Sequence, residues 1–291
     1  MSRKLVIAAA ANLVFVVVEL VAGFYANSLA LIGDAFHNFT DVLALLVALF
    51  AVRLEQRPPT DEKSFGYQRA GTIAAFINAG TLVGLTLFLL VEAIDRFRSP
   101  AMVDETLMMI TAAVAVLING AIPLSLRQER RTDVNIRTAV LHMISDAVSS
   151  AGIIIAALLI RATGTPVWDP AISVGIAALI LWSSWGILRE TVNLLLEGTP
   201  SGIDPAAVTR ALAGIEGVQG VHHLHIWALG PSRPALSCHL MVGDVPVRST
   251  SGLLDQITGM LRREFGIVHV TVQFEFAECA EGDPYCVPYT R

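Results

Sequence analysis

The stretch that decides the fold is SLALIGDAFHNFTDVLALLVALFAVR, which runs from Ser28 to Arg53. It is long and apolar enough to cross a bilayer as one helix, which takes about 20 residues, yet it contains Asp34, His37 and Asp41. On a helix with about 3.6 residues per turn, His37 and Asp41 share one face, and Asp34 lies one turn earlier on nearly the same line. The stretch therefore predicts a membrane-spanning helix with one polar stripe.

The same pattern returns in LHMISDAVSSAGIIIAALLI, where His142 and Asp146 are again four residues apart in a membrane-length apolar segment. A carboxylate at the centre of an inserted helix costs roughly 2.5 to 3.5 kcal/mol, and the apolar spans contain no Lys or Arg to pair with it. Two imidazoles and two carboxylates suit a tetrahedral Zn²⁺ ion, which offsets that cost. We therefore predict a metal site formed by His37, Asp41, His142 and Asp146. The alternative for each histidine is an interhelical hydrogen bond without a metal.

The composition indicates a membrane domain followed by a soluble domain. Of the 291 residues, 54% are hydrophobic and 15% are charged, and the long apolar runs lie in the first two thirds of the chain. We predict a transmembrane domain over residues 1–199 and a cytosolic domain over residues 200–291. Six membrane-spanning helices are expected at residues 5–26, 30–52, 70–94, 103–126, 138–160 and 170–188.

Basic residues near the ends of these spans predict the orientation. With the N-terminus inside, most of the flanking Lys and Arg residues fall on the inside, as membrane proteins prefer. We therefore expect an integral protein of the bacterial inner membrane with both termini in the cytoplasm. A net charge of −5 and the lack of basic clusters interleaved with aromatic residues argue against nucleic acid as a partner.

From Asp204 onward the periodicity becomes that of a soluble domain, with a helix, two strands, an amphipathic helix and a strand. This αββαβ order predicts a small two-layer α+β domain. Because the domain is rich in histidine, we predict one or more cytosolic metal sites within it. The alternative is that strand alternation leaves half of these side chains in solvent without metal. The residues concerned are His222, His223, His225, His239, His269, Glu275, Cys279 and Cys286.

Several segments in one order across nearly the whole chain resemble the zinc-exporting branch of the cation diffusion facilitator family. They are SLALIGDAFHNFTD, FGYQRAG, LHMISDAVSS, WDPAISVGIAALIL, LLLEGTP, HHLHIW and HVTVQFE. The resemblance implies six transmembrane helices, a metallochaperone-like cytosolic domain, and a homodimer in the lipid membrane that exports Zn²⁺ in exchange for protons. It implies a transport site at His37, Asp41, His142 and Asp146. It also implies regulatory zinc sites among His222, His225, His239, His269, Glu275, Cys279 and Cys286.

Three departures from the family pattern concern the cytosolic parts. Gly71 stands where relatives usually have Glu, a histidine-rich loop is missing, and Cys279 and Cys286 are separated by six residues rather than by two.

The predicted membrane site favours zinc among the divalent cations. Its two imidazoles, from His37 and His142, favour zinc over Mn²⁺ or Mg²⁺, whereas cadmium and cobalt remain compatible.

We do not expect an enzyme. An intramembrane metalloenzyme is the first alternative, but the sequence contains no His-Glu-x-x-His motif and the four ligands leave no open catalytic position. The second alternative is a membrane-bound metal sensor that does not transport.

Overall fold

The computed structural model describes residues 3–125, 134–231 and 233–276, with the backbone alone for residues 3–12, 122–125, 134–139 and 141–142. Within these residues, six long helices precede a small α+β domain, as predicted. The helices are α1 (Arg3–Ala26), α2 (Leu29–Glu55), α3 (Ala70–Arg98), α4 (Glu105–Ser125), α5 (Val134–Thr163) and α6 (Trp168–Leu195). Most of them extend beyond the predicted apolar spans by a few residues, because a helix continues past the lipid into its polar flanks.

The helices α1 to α6 are apolar, and many of their large hydrophobic side chains are exposed on the surface of the protein. Among the described residues, α2, α3, residues 143–163 of α5 and α6 are long and apolar enough to cross a membrane. The apolar segments described in α1 and α4 are shorter. Phe50, Phe88 and Trp182 are more than half exposed, an arrangement that water disfavours and lipid permits. The chain is therefore an integral membrane protein.

Contacts divide the chain into two compact units, one with residues 1–47 and 77–186 and the other with residues 48–76 and 187–291. The core of the first unit combines bulky side chains such as Met108 and Ile153 with alanines such as Ala30. Small residues let membrane helices approach closely, where van der Waals packing replaces the hydrophobic effect.

A buried carboxylate joins the start of α6 to the start of α2. Asp169 accepts a hydrogen bond from Ser28 Oγ at 2.6 Å, and it also accepts from the backbone N–H groups of Leu29 at 2.8 Å and Ala30 at 3.2 Å. Arg96 Nη1 of α3 lies 3.6 Å from the same carboxylate. Because the first N–H groups of a helix have no partner within it, Asp169 caps α2 from another helix.

The soluble part has the predicted αββαβ order within the described residues. Its elements are α7 (Pro205–Ala213), β1 (Gly220–Ala228), β2 (Pro234–Met241), α8 (Val247–Phe265) and β3 (His269–Glu275). The sheet order is β1-β2-β3, in which β2 pairs antiparallel with β1 and parallel with β3, so α8 forms the crossover. Asp204 caps α7 by accepting from the backbone N–H of Ala206, with Pro205 at the first helical position.

The core of this domain lies between the sheet and its two helices. Leu236, Cys238 and Leu240 alternate along β2 and pack with Leu212 of α7 and Leu261 of α8. Burial raises the pKa of the Cys238 thiol to about 12. Since metals bind the thiolate, Cys238 is a core residue rather than a ligand.

The second unit also contains the end of α2 and the beginning of α3. Glu55 Oε1 accepts a hydrogen bond from the backbone N–H of Gly71 at 3.1 Å, so its carboxylate lies at the N-terminus of α3, where the helix dipole favours negative charge. A Cβ atom at position 71 would lie 2.7 Å from this oxygen. The glycine that departs from the family pattern therefore makes room for Glu55.

Replacing Asp169 by Asn should lower the free energy of unfolding by about 1–3 kcal/mol. The Asn side chain keeps one acceptor oxygen and replaces the other with an NH₂ group, which cannot accept from the backbone N–H groups of α2. Those buried donors then lose a charged acceptor. Unfolding of the purified full-length protein in detergent measures this. Asp95→Asn is the matched control, since Asp95 is exposed and its ion pair with Arg98 at 3.8 Å contributes little. Equal unfolding midpoints for the two variants would contradict the capping role of Asp169.

Candidate metal centre

The predicted membrane site is built between α2 and α5. His37 Nδ1 lies 3.7 Å from Asp41 Oδ2 one turn further along α2, and His37 Nε2 lies 3.8 Å from Asp146 Oδ1 on α5. The side chains of His37, Asp41 and Asp146 are 16%, 25% and 5% exposed. His142 precedes Asp146 by one turn of α5, but its side chain lies outside the described residues. The structure thus brings together the three predicted side chains that it describes.

The two carboxylates lie beside opposite nitrogens of the His37 ring. Zinc binds nitrogen and oxygen at about 2.0–2.2 Å, so two donors of a tetrahedral site are about 3.3–3.5 Å apart. The Nε2–Oδ1 separation of 3.8 Å between His37 and Asp146 is within about half an ångström of this value. In this arrangement Asp41 faces Nδ1, where a carboxylate orients a metal-binding histidine.

Buried polar residues that sequence analysis did not assign to the site lie around it. The Ser150 hydroxyl is 3.0 Å from Asp34 Oδ2 and 3.0 Å from the backbone oxygen of Asp146. The Asn38 amide donates to Glu19 Oε2 of α1 at 3.2 Å. Asp34 was recognisable as part of the polar stripe, whereas nothing in the sequence indicates that Glu19 and Ser150 lie beside it.

In the soluble domain, His222, His239 and Glu275 form a cluster of three potential ligands. Glu275 Oε2 lies 3.0 Å from His222 Nε2, and Glu275 Oε1 lies 2.9 Å from His239 Nδ1. One ligand atom from each residue lies within 4.8 Å of the others. The residues come from three strands, since His222 pairs with His239 across β1 and β2 and Glu275 ends β3. Two imidazoles and a carboxylate are ligands that suit a divalent cation.

A β-bulge brings further histidine rings to this cluster. The pairing shifts between His222 and His225, so three steps along β1 oppose two along β2, and His223 has a φ of 54°. The His223 ring stacks on His239 with 4.7 Å between centroids and contacts His225 at 4.9 Å. Burial lowers the pKa of His225, and the neighbouring His223 and His239 lower it further. Alternation along a regular strand places His222 and His223 on opposite faces of the sheet. The sequence therefore did not indicate that both rings contact His239.

The remaining predicted ligands are placed elsewhere or are not described. His269 pairs with Ala235, four residues along β2 from His239, which is about 13 Å at 3.3 Å per residue. Its ring instead contacts Phe65, with 5.5 Å between centroids. His225 is exposed, and its ring contacts that of His223. Cys279 and Cys286 lie outside the described residues.

Comparison with known proteins assigns both parts of the chain to one family. The profile of the cation efflux transmembrane domain matches residues 5–196, and that of the cation efflux protein cytoplasmic domain matches residues 200–277. The zinc transporter ZitB of Escherichia coli strain K12 is 40% identical over 280 residues, which cover 96% of this chain and 88% of that protein. The metal cation efflux system protein CzcD of Cupriavidus metallidurans is 38% identical over 281 residues, which cover 97% of this chain and 89% of that protein.

Two further proteins are similar to this chain. The cadmium, cobalt and zinc/H(+)-K(+) antiporter of Bacillus subtilis is 37% identical over 264 residues, which cover 90% of this chain and 85% of that protein. The solved metal-bound C-terminal domain of CzcD from Cupriavidus metallidurans is 37% identical and covers 25% of this chain and 99% of that domain, with a TM-score of 0.23. The family consists of transporters rather than enzymes. With both domain profiles matched in order and relatives near 40% identity over almost its full length, the chain belongs to the cation efflux, or cation diffusion facilitator, family of metal cation transporters.

Proposed function

We propose that this protein exports Zn²⁺ from the cytosol across the bacterial inner membrane in exchange for protons, with both of its termini in the cytoplasm. The observation that carries the proposal is the buried approach of His37 Nε2 to Asp146 Oδ1, 3.8 Å apart on two membrane helices. The name of the ZitB relative supports zinc as the cargo, and the name of the Bacillus relative adds cadmium and cobalt as further cargo.

The transport site in this proposal consists of His37, Asp41, His142 and Asp146. Asp146 and His37 hold the ion between α5 and α2, Asp41 orients His37 or binds after rotation, and His142 supplies the second imidazole. Cargo binding requires neutral imidazoles and ionised carboxylates, so protons and metal compete for the same atoms. Exchange follows when the helices present these atoms first to one side of the membrane and then to the other.

The C-terminal domain acts as a metal-dependent regulator in this proposal. His222, His239 and Glu275 bind Zn²⁺ as a regulatory ligand, because their donor atoms already converge without it. The matched cytoplasmic-domain profile carries the name ZT_dimer, which supports a homodimer. A metal that binds one dimer arrangement more tightly shifts the equilibrium toward that arrangement.

Asp146→Asn and His37→Gln should each lower zinc transport at least about 100-fold, because loss of even an outer partner of a ligand typically costs 10- to 100-fold. Proteoliposomes containing a zinc dye and a pH dye measure zinc entry and the opposite proton movement together. Asp95→Asn is the control for the removal of an acid outside the site and should transport as the wild type does. Retained exchange in Asp146→Asn would contradict the site, and a wild type that binds zinc without moving it would indicate a sensor.

His239→Ala should remove one bound zinc per chain from the cytosolic domain, because it deletes one of three converging ligands. The measurement is equilibrium dialysis of the full-length protein in an Asp146→Asn background, which removes binding at the membrane site. His269→Gln is the control, since His269 lies at the other end of the sheet and its loss should leave the stoichiometry unchanged. Equal losses in both variants would show that the bound metal is not at the His222 cluster.

A further inference from the structure

We propose that the hydrogen bond between Ser150 and Asp34 sets the spacing of the transport-site ligands and thereby restricts the cargo by ion size. Ser150 is then a positioning residue that favours small divalent cations such as Zn²⁺ over the larger Cd²⁺. This inference rests on the proposed transport function and adds a determinant of selectivity to it.

The geometry places two cross-links between the same pair of helices. Asp34 lies three residues before His37 on α2, and Ser150 lies four residues after Asp146 on α5. One cross-link is the His37–Asp146 approach of 3.8 Å, and the other is the Ser150–Asp34 hydrogen bond of 3.0 Å. They are about one helical turn, or 5.4 Å, apart. The shorter cross-link uses no atom of the His37 or Asp146 side chains, so it can hold the two helices together beside the site independently of the cargo.

Burial makes this cross-link strong. Asp34 and Ser150 are both 0% exposed, so water does not compete for the hydrogen bond, and a bond to an acidic group in such surroundings is stronger than one in water. The same hydroxyl lies 3.0 Å from the backbone oxygen of Asp146 on its own helix, so its single proton is shared between this carbonyl and the Asp34 carboxylate. The hydroxyl therefore links Asp34 directly to the turn of α5 that carries a cargo ligand.

A third helix is tied to the same segment of α2. The Asn38 amide of α2, one residue after His37, donates to Glu19 Oε2 of α1 at 3.2 Å. Glu19, Asn38 and Asp34 are all buried. Because contacts from α1 and α5 both hold this segment of α2, the cross-link resists a change in the distance between α2 and α5.

Ion size enters through this distance. Zinc requires donors at about 2.0–2.2 Å, whereas the larger Cd²⁺ needs longer bonds and a wider separation of His37 from Asp146. Metal selectivity in proteins depends on site geometry and on the rigidity of the residues that support the ligands. A rigid cross-link one turn away opposes that widening, and its loss lets the helices adjust to the larger ion.

Ser173 provides a matched control within the chain. Its hydroxyl donates to the backbone oxygen of Asp169 at 2.7 Å, which is the same bond to the fourth preceding residue that Ser150 makes. Ser173 is also buried, and in the part of the chain that the structure describes its hydroxyl makes this bond alone. Ser173→Ala therefore removes the local bond without removing a link between helices.

The test compares zinc and cadmium transport by the full-length protein in proteoliposomes. Ser150→Ala should raise the ratio of Vmax/KM for Cd²⁺ to that for Zn²⁺ at least about fivefold, mainly through the two KM values, because outer partners of ligands typically change affinity 10- to 100-fold. Ser150→Thr keeps the hydroxyl and should restore the wild-type ratio. Ser173→Ala should leave the ratio unchanged.

Three results would overturn the inference. The first is an equal decrease of Vmax/KM for both cations in Ser150→Ala, and the second is a change of the cadmium-to-zinc ratio in Ser173→Ala as large as that in Ser150→Ala. The third is a ratio in Ser150→Thr that does not return to the wild-type value. Should Ser150→Ala fail to fold, Asp34→Asn serves instead, because it weakens the cross-link while leaving the local bond of Ser150 intact. An unchanged cadmium-to-zinc ratio in Asp34→Asn would equally overturn it. A wild type that transports neither cation would contradict the proposed function rather than this inference.

Discussion

The requirement that carboxylates inside the membrane find polar partners organises the first unit of this protein. Asp34, Asp146, Asp169 and Glu19 are buried in helices that face lipid elsewhere, and an unpartnered charge there is strongly unfavourable. Each acid has a partner on another helix: Ser150 for Asp34, His37 for Asp146, Asn38 for Glu19, and Arg96 with backbone N–H groups for Asp169. Because these partners come from different helices, neutralising the acids also fixes how the helices pack.

The position of α2 illustrates this coupling between charge and structure. Asp169 caps its first residues, Asp34 ties it to α5 one turn before His37, and Glu55 at its end binds the first turn of α3. His37 lies between these anchors, so its approach to Asp146 depends on contacts that lie from about one to about five turns away along α2. In the proposed transport cycle the ion is present for only part of the time, so the proposed site needs such external support.

The sequence predicted the features that follow from periodicity, and it did not predict those that follow from tertiary contacts. Two His-x-x-x-Asp pairs in apolar segments indicated the helices and the face of each that holds the ligands, and alternation indicated the αββαβ order. The clustering of His222 with Glu275, the bulge at His223 and the distant position of His269 depend on strand register, which single-strand patterns do not specify. Likewise, Asp41 faces the opposite ring nitrogen from Asp146 because of side-chain rotamers that helical spacing leaves open.

The central claim is that His37 of α2 and Asp146 of α5 hold one cargo ion between them inside the membrane. Anomalous diffraction at the zinc absorption edge, from crystals of the full-length protein loaded with zinc, tests it most directly. We expect an anomalous peak about 2.0–2.2 Å from both His37 Nε2 and an Asp146 carboxylate oxygen. Peaks confined to the C-terminal domain, with these two side chains unchanged by saturating zinc, would contradict it.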